Sequence, residues 1–147
     1  MKIVIQRVSQ AEVRVEGTVV SSIGRGMLLL VCMEKGDNEG SLDLGKVAEK
    51  VANLRIFQDP ESGKMNKNIE QHGGEFLCVS QFTLSWDGKK GNRPSFDNSL
   101  EPSAAVELFD SFCEELGRLS KVKKGVFGAS MEVSLVNDGP VTFSLNF

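Results

Sequence analysis

Lys2-Ile3-Val4-Ile5-Gln6-Arg7-Val8-Ser9-Gln10-Ala11-Glu12-Val13-Arg14-Val15 opens the chain with period-two patterning. Ile3, Ile5 and Arg7 share one face of a strand, and Ala11, Val13 and Val15 alternate with Glu12, Arg14 and Glu16, as in antiparallel sheet. Gly17 supplies a turn, 18–23 reads as a return strand, and Gly24-Arg25-Gly26 leads into a continuous apolar run from Met27 to Met33, a buried strand. Beyond it, Leu44, Val47, Ala48, Val51 and Leu54 recur at helical spacing, which predicts an amphipathic helix over 41–53 with Ser41 as N-cap. A strand is expected at 54–57, then a turn at 59–63, then an apolar run from Phe76 to Val79 that flows into Ser80-Gln81-Phe82-Thr83-Leu84 at a strand end. Residues 85–98 are polar and partly basic, an exposed loop. Pro102 sits where an N1 proline belongs, and Ala105, Leu108, Phe109, Phe112, Cys113, Leu116 and Leu119 mark one face of a second, longer helix. The chain closes with Met131/Val133/Leu135 and Val141/Phe143/Leu145/Phe147, two alternating segments read as a β pair around a tight turn at Asn137-Asp138-Gly139-Pro140. Two helices among alternating strands predict an α+β fold: one domain over 1–147, a mainly antiparallel, curved or barrel-like sheet, and two main helices.

Bulk properties agree with one domain. The chain has 147 residues, 40% of them hydrophobic and 25% charged, as in a protein that buries a real core. Its longest apolar run is far below the roughly 20 residues of a membrane-spanning helix. The opening segment lacks a signal-peptide pattern, so a cytoplasmic location without membrane association is expected. Cys32, Cys78 and Cys113 are odd in number and lie in apolar segments without a CxxC pair, as reduced core thiols do. A net charge of -3 sets up no global positive field for nucleic acid, so any RNA contact belongs to local patches.

The chemistry on offer is sparse. His72, beside Gly73-Gly74, is the sole histidine, and a nucleophile-histidine device would have to use it; a solvated loop histidine is the simpler reading. No metal-ligand spacing, P-loop or dinucleotide fingerprint occurs, so neither a metal nor another cofactor is expected. Glu34, Asp37, Glu39, Asp59 and Glu61 fall in turn-like segments, where carboxylates are usually just solvated. Two stretches stand apart, Ser80-Gln81-Phe82-Thr83-Leu84 and Asn137-Asp138-Gly139-Pro140-Val141-Thr142, each placing small polar groups and free backbone at a strand end.

Together these motifs resemble the SQFTL and N-x-G-P-V-T signatures of the D-aminoacyl-tRNA deacylase family, also called D-tyrosyl-tRNA deacylases. Ile5-Gln6-Arg7-Val8, Ala52-Asn53-Leu54-Arg55-Ile56-Phe57, Lys64-Met65-Asn66, Arg93-Pro94-Ser95-Phe96 and Gly125-Val126-Phe127-Gly128-Ala129 look like further family landmarks in the family's order. Departures are confined to the loop: Ser85-Trp86-Asp87-Gly88 differs from the family's stretch, and Asn92 stands where a basic residue is usual.

The resemblance implies hydrolysis of the ester joining a D-amino acid to the 3′-terminal adenosine of tRNA, action on glycine mischarged on tRNA-Ala, and exclusion of L-aminoacyl-tRNA. It assigns Ser80, Gln81, Phe82 and Thr83 to the ester carbonyl and terminal adenosine, with the substrate's 2′-hydroxyl taking part. Such an ester is already activated, so backbone N–H groups and a positioned water suffice without a histidine base or a metal. Thr83 is left as nucleophile, water-positioner or scaffold, with nucleophile ranked last because no base adjoins it in the sequence. By the family's pattern Gly139-Pro140 adopts a cis bond and enters the partner subunit's site, Arg7 orients that loop, and Phe127, Ala129 and Met131 line the pocket or adenine site. The implied partners are the aminoacyl-tRNA 3′ end and a second copy in a two-fold homodimer. Lys89, Lys90 and Arg93, with Arg118, Lys121, Lys123 and Lys124, are the candidate tRNA-phosphate contacts. The competing readings are a sister deacylase of relaxed chirality and a non-catalytic tRNA-binding dimer module; retention of Arg7 speaks against the first and the lack of a broad basic, aromatic face against the second.

Overall fold

The computed structural model describes every residue except Glu39 and Lys90. The opening segment is one continuous strand, β1 (Lys2–Val15). Its length lets it take two neighbours on the same side: β3 (Gly26–Cys32) along Lys2–Val8, and β2 (Thr18–Ile23) along Ala11–Val15, both antiparallel. The other neighbour is the last strand of the chain.

Helix α1 (Leu44–Ala52) starts at Asp43, whose carboxylate accepts from the Lys46 N–H at 3.1 Å, and not at Ser41. Ser41 is spent on the preceding turn, donating through Oγ to the Gly36 carbonyl. The strand expected at 54–57 shrinks to β4 (Phe57–Gln58), paired with β5 (Met65–Lys67) in a two-stranded sheet of its own. A short helix α2 (Ile69–His72) that periodicity could not show is held by a capping box between Asn68 and Gln71 and ends on left-handed Gly73.

Strand β6 (Glu75–Ser80) runs parallel to β3, and after helix α3 (Pro102–Gly117) strand β7 (Val122–Lys124) runs parallel to β6. The sheet is therefore mixed. Each of the two main helices is a crossover that returns the chain to the same end of the sheet, which makes the strands it joins parallel. Alternation in the sequence reports faces, not strand direction.

The ending corrects the expected hairpin: Glu132–Asn146 is a single strand, β8, antiparallel to β1 on both sides of an interruption at 138–141. Thr142 faces Gln6 and Asn137 faces Val8, so residues 138–141 are extruded from the ladder as a bulge. Proline, with no N–H, cannot serve the ladder there. The six-stranded sheet curls into a nearly closed barrel, as the α+β expectation requires.

Alternation sorts the side chains onto two faces. Met27, Leu29 and Val31 of β3, with Phe76 and Cys78 of β6, pack beneath α1 and α3 around fully buried Phe112 and Leu116. Leu28, Leu77 and Val79 face the barrel interior with Val8, Ala11 and Val13. The bulge hands β8 from one face to the other: Met131, Val133 and Leu135 pack inside the barrel, while Val141, Phe143 and Leu145 pack toward the helices.

Candidate active site

At the C-terminal end of β6 the chain leaves the sheet as a single 3-10 turn, Phe82–Ser85. The Gln81 N–H is still bound to the sheet, donating to the Val31 carbonyl at 2.7 Å, so the turn grows from a fixed point. Among the described residues no acceptor partners the N–H groups of Phe82 and Thr83, the first two amides of the turn. Gln81 Nε2 donates to Thr83 Oγ1 at 2.7 Å. The Thr83 hydroxyl thus meets an amide rather than a base.

Beside this turn lies a cavity of about 550 Å³. Ser80, Gln81 and Phe82 line one side, and Phe127, Ala129 and Met131 line another; Phe96, Phe109, Leu100 and Pro102 make the remainder largely apolar. Phe82, 54% exposed, sits edge-on to Phe96 at 5.0 Å, and Phe109 tilts against Phe127 at 6.1 Å. Gly125 makes room for this wall: a Cβ there would lie 2.7 Å from Met131 Sδ. Cys32 also borders the cavity, its thiol pushed up to about 11, first by burial and then by the Glu34 carboxylate, so it stays protonated. Of the SQFT residues singled out in the sequence, Thr83 is exposed and does not line the cavity.

Arg7, Gly139 and Pro140 form a second constellation and line no part of this cavity. Arg7 is buried; its Nε donates to the Asp138 carbonyl at 2.8 Å and its Nη1 to the Ile56 carbonyl at 2.5 Å, and its Nε lies 3.3 Å from the Asp138 carboxylate. Asn137 closes the bulge like a staple: Oδ1 accepts from the Val141 N–H at 3.1 Å, while Nδ2 donates to the Val141 carbonyl and to Gln6 Oε1. Inside this loop a Cβ on Gly139 would strike the Val141 nitrogen and lie 3.1 Å from Asn137 Oδ1, so only glycine fits. The Gly139–Pro140 peptide is cis. Asp138, Gly139 and Pro140 are exposed and stand outside the ladder, in the bulge that Asn137 staples.

His72 belongs to this second region, not to the cavity. It ends α2, stacks on Phe57 at 4.3 Å, and its pKa is held below the ordinary 6.5 by burial, then by Arg25. Among the expected phosphate contacts, Lys89 pairs with Asp87, Arg118 with Glu115 and Lys124 with Asp110; Lys90 lies outside the described residues, as does Glu39. Lys121, Lys123 and Arg93 are exposed and form no ion pair among the described residues. No helix among those residues is long and apolar enough to cross a membrane.

Comparison with known proteins fits this geometry. A protein of Bacteroides thetaiotaomicron named D-aminoacyl-tRNA deacylase is 50% identical over 148 residues, covering 99% of this chain and 97% of its own. The solved structure of a c-Myc DNA unwinding element binding protein superposes with a TM-score of 0.92 at 39% identity, covering 100% of this chain and 99% of that one. A probable eukaryotic D-amino acid tRNA deacylase shares the fold at a TM-score of 0.78 and 18% identity, over 98% and 97% of the two chains. The sequence profile of D-Tyr-tRNA(Tyr) deacylase matches residues 4–146, and with that nearly complete span the chain belongs to the D-Tyr-tRNA(Tyr) deacylase family.

Proposed function

We propose that this protein hydrolyses the ester bond of D-aminoacyl-tRNA, releasing tRNA and the D-amino acid. The observation that carries the reading is the cavity where Ser80, Gln81 and Phe82 face Phe127, Ala129 and Met131. Its largely apolar walls suit the flat adenine of a tRNA 3′ end, and the Phe82 and Thr83 amides, without acceptors among the described residues, suit the oxygen that gains charge as the ester carbonyl is attacked. Oriented donors of this kind are worth roughly 2.7–4 kcal/mol of barrier each in comparable acyl-transfer sites. Thr83, held by Gln81 and touched by no base among the described residues, acts as scaffold or water-positioner rather than nucleophile.

Chirality is read by the Gly139-Pro140 protrusion. Since it stands off the cavity of its own chain, a second copy delivers it, and the site is completed in a two-fold homodimer. The outer edge of β8, which pairs with no other strand among the described residues, supports such an assembly. A wall of backbone and proline ring leaves no room for an L side chain and admits glycine, so glycine mischarged on tRNA-Ala is a substrate too. The enzyme works in the cytoplasm, where its aminoacyl-tRNA substrate is made.

The test is a paired time course on one tRNA esterified with either a D- or an L-amino acid. Loss of the D-ester alone is expected. Loss of both esters would indicate the relaxed sister activity, and loss of neither by a folded dimer would leave a tRNA-binding role.

A further inference from the structure

Two carbonyls of the Phe82–Ser85 turn are held from behind by a cross-strand pair. Lys2 of β1 and Cys32 of β3 stand directly opposite each other in the ladder. Lys2 Nζ donates to the Leu84 carbonyl at 3.2 Å, and the single proton of the Cys32 thiol is shared between the Met33 carbonyl at 3.5 Å and the Phe82 carbonyl at 3.6 Å. In a trans peptide the C=O and the following N–H point in opposite directions within one plane, so a donor on the Phe82 carbonyl fixes the direction of the Thr83 N–H.

Lys2 reaches further. Its ammonium also lies 2.9 Å from Glu34 Oε1, and both side chains are largely shielded, at 29% and 22% exposure. The Glu34 segment is stitched to residues 98–100: Glu34 bridges to Ser99, Lys35 N–H donates to the Asn98 carbonyl and Leu100 N–H to the Met33 carbonyl. Met33, Ser99 and Leu100 all line the cavity. One ammonium therefore links the amide-bearing turn to the Glu34 segment and, through it, to the Ser99–Leu100 part of the lining.

We infer that Lys2 is a positioning residue for deacylation: by binding the Leu84 carbonyl and the Glu34 carboxylate together, it sets the Phe82–Ser85 turn in register with the Ser99–Leu100 wall, Cys32 steadying the companion carbonyl. This rests on the deacylase reading above. Lys2 touches no reacting atom; it acts by anchoring the C-terminal end of the turn through the Leu84 carbonyl, which holds in place the turn whose first amides are those of Phe82 and Thr83. Loss of such alignment reduces the rate of the chemical step more than substrate affinity, and misplacement near 1 Å costs about 100-fold.

The experiment compares wild type with Lys2→Met, which keeps the stem and deletes the charge, and Lys2→Arg, which restores it. Hydrogen exchange of the 81–86 backbone is followed alongside kcat and KM on a D-aminoacyl-tRNA. Lys2→Met is expected to speed exchange across 81–86 and to lower kcat about tenfold or more with KM within about twofold, and Lys2→Arg to recover most of both. Glu34→Gln, which releases the ammonium from its other side, is expected to reproduce the kcat loss in part. Wild-type exchange and kcat in Lys2→Met would overturn the inference. So would a loss shared by Lys2→Arg and matched by a lower melting temperature, the mark of a merely structural role. Should the wild-type protein hydrolyse no ester, the deacylase reading and with it the catalytic part of the inference fall, while exchange still reports whether Lys2 holds the turn.

Discussion

Arg7 shows how one side chain determines a loop's pose. Its guanidinium binds two carbonyls and a carboxylate from β1 outward, so replacing it with Met strands the Ile56 and Asp138 oxygens. Arg7→Met is expected to destabilise the protein by about 1–3 kcal/mol, as measured by urea unfolding. On the deacylase reading it also lowers the preference for D- over L-esters about tenfold while D-ester hydrolysis falls less, as paired kcat/KM values will show. His72, stacked on Phe57 near that same arginine, gives a second residue-scale expectation. Burial and the positive Arg25, Arg7 and Lys67 hold its pKa below the ordinary 6.5, opposed by Asp138, so the unfolded chain takes up the proton first. The stability His72 confers is therefore complete above its ordinary pKa and is lost as pH falls through the depressed one. As pH falls below the ordinary 6.5, the melting temperature of wild type should drop more steeply than that of His72→Gln; parallel curves would contradict this.

Elements differ in how plainly the sequence announced them. The faces of α1 and α3 were legible because burial imposes a period, and Leu44, Val47, Val51, Leu108, Phe112 and Leu116 all lie in the core as spaced, while β3 and β6 were legible as continuous apolar runs because both of their faces are buried. The motif at Ser80–Leu84 was legible as a strand end, and its meeting with Phe127, Ala129 and Met131 followed only from family likeness, since their sequence separation carries no local signal. What escaped was governed by geometry rather than pattern. The parallel pairing of β3 with β6 depends on a crossover, α2 on a capping box in four residues, and the uninterrupted β8 on side-chain staples from Asn137 that resemble an ordinary turn in one dimension. Lys2 escaped because a lysine at a strand start looks solvated until its acceptors are seen. Gly26 belongs to the same class. A Cβ there would collide with the Glu75 carbonyl of the neighbouring parallel strand, so Gly26→Ala is expected to cost about 1–3 kcal/mol by overpacking, which thermal unfolding will check.

At the scale of the whole molecule, charge and assembly set the encounter with tRNA. The net charge of -3 leaves attraction to the local cluster after α3, where exposed Lys121 and Lys123 accompany ion-paired Arg118 and Lys124. The double variant Lys121→Ala/Lys123→Ala is expected to weaken tRNA binding at low salt and to flatten the dependence of log affinity on log salt by about 0.7–0.9 for every phosphate it no longer neutralises. An unchanged slope would place the phosphate-binding surface elsewhere.

The pairing of β1 with β8 also has a temporal side. The first strand to be synthesised waits for the last, because residues 2–15 have their partner at 132–146. A nascent chain on the ribosome can zip β1 to β2 and β3, yet that sheet stays open on one edge, and its barrel face lacks Met131, Val133 and Leu135, until residues 131–146 emerge. Translation arrest inside β8 should thus leave a sticky, protease-sensitive product, and the emergence of 132–146 becomes the moment at which β1 gains its second partner and the bulge at 138–141 can form.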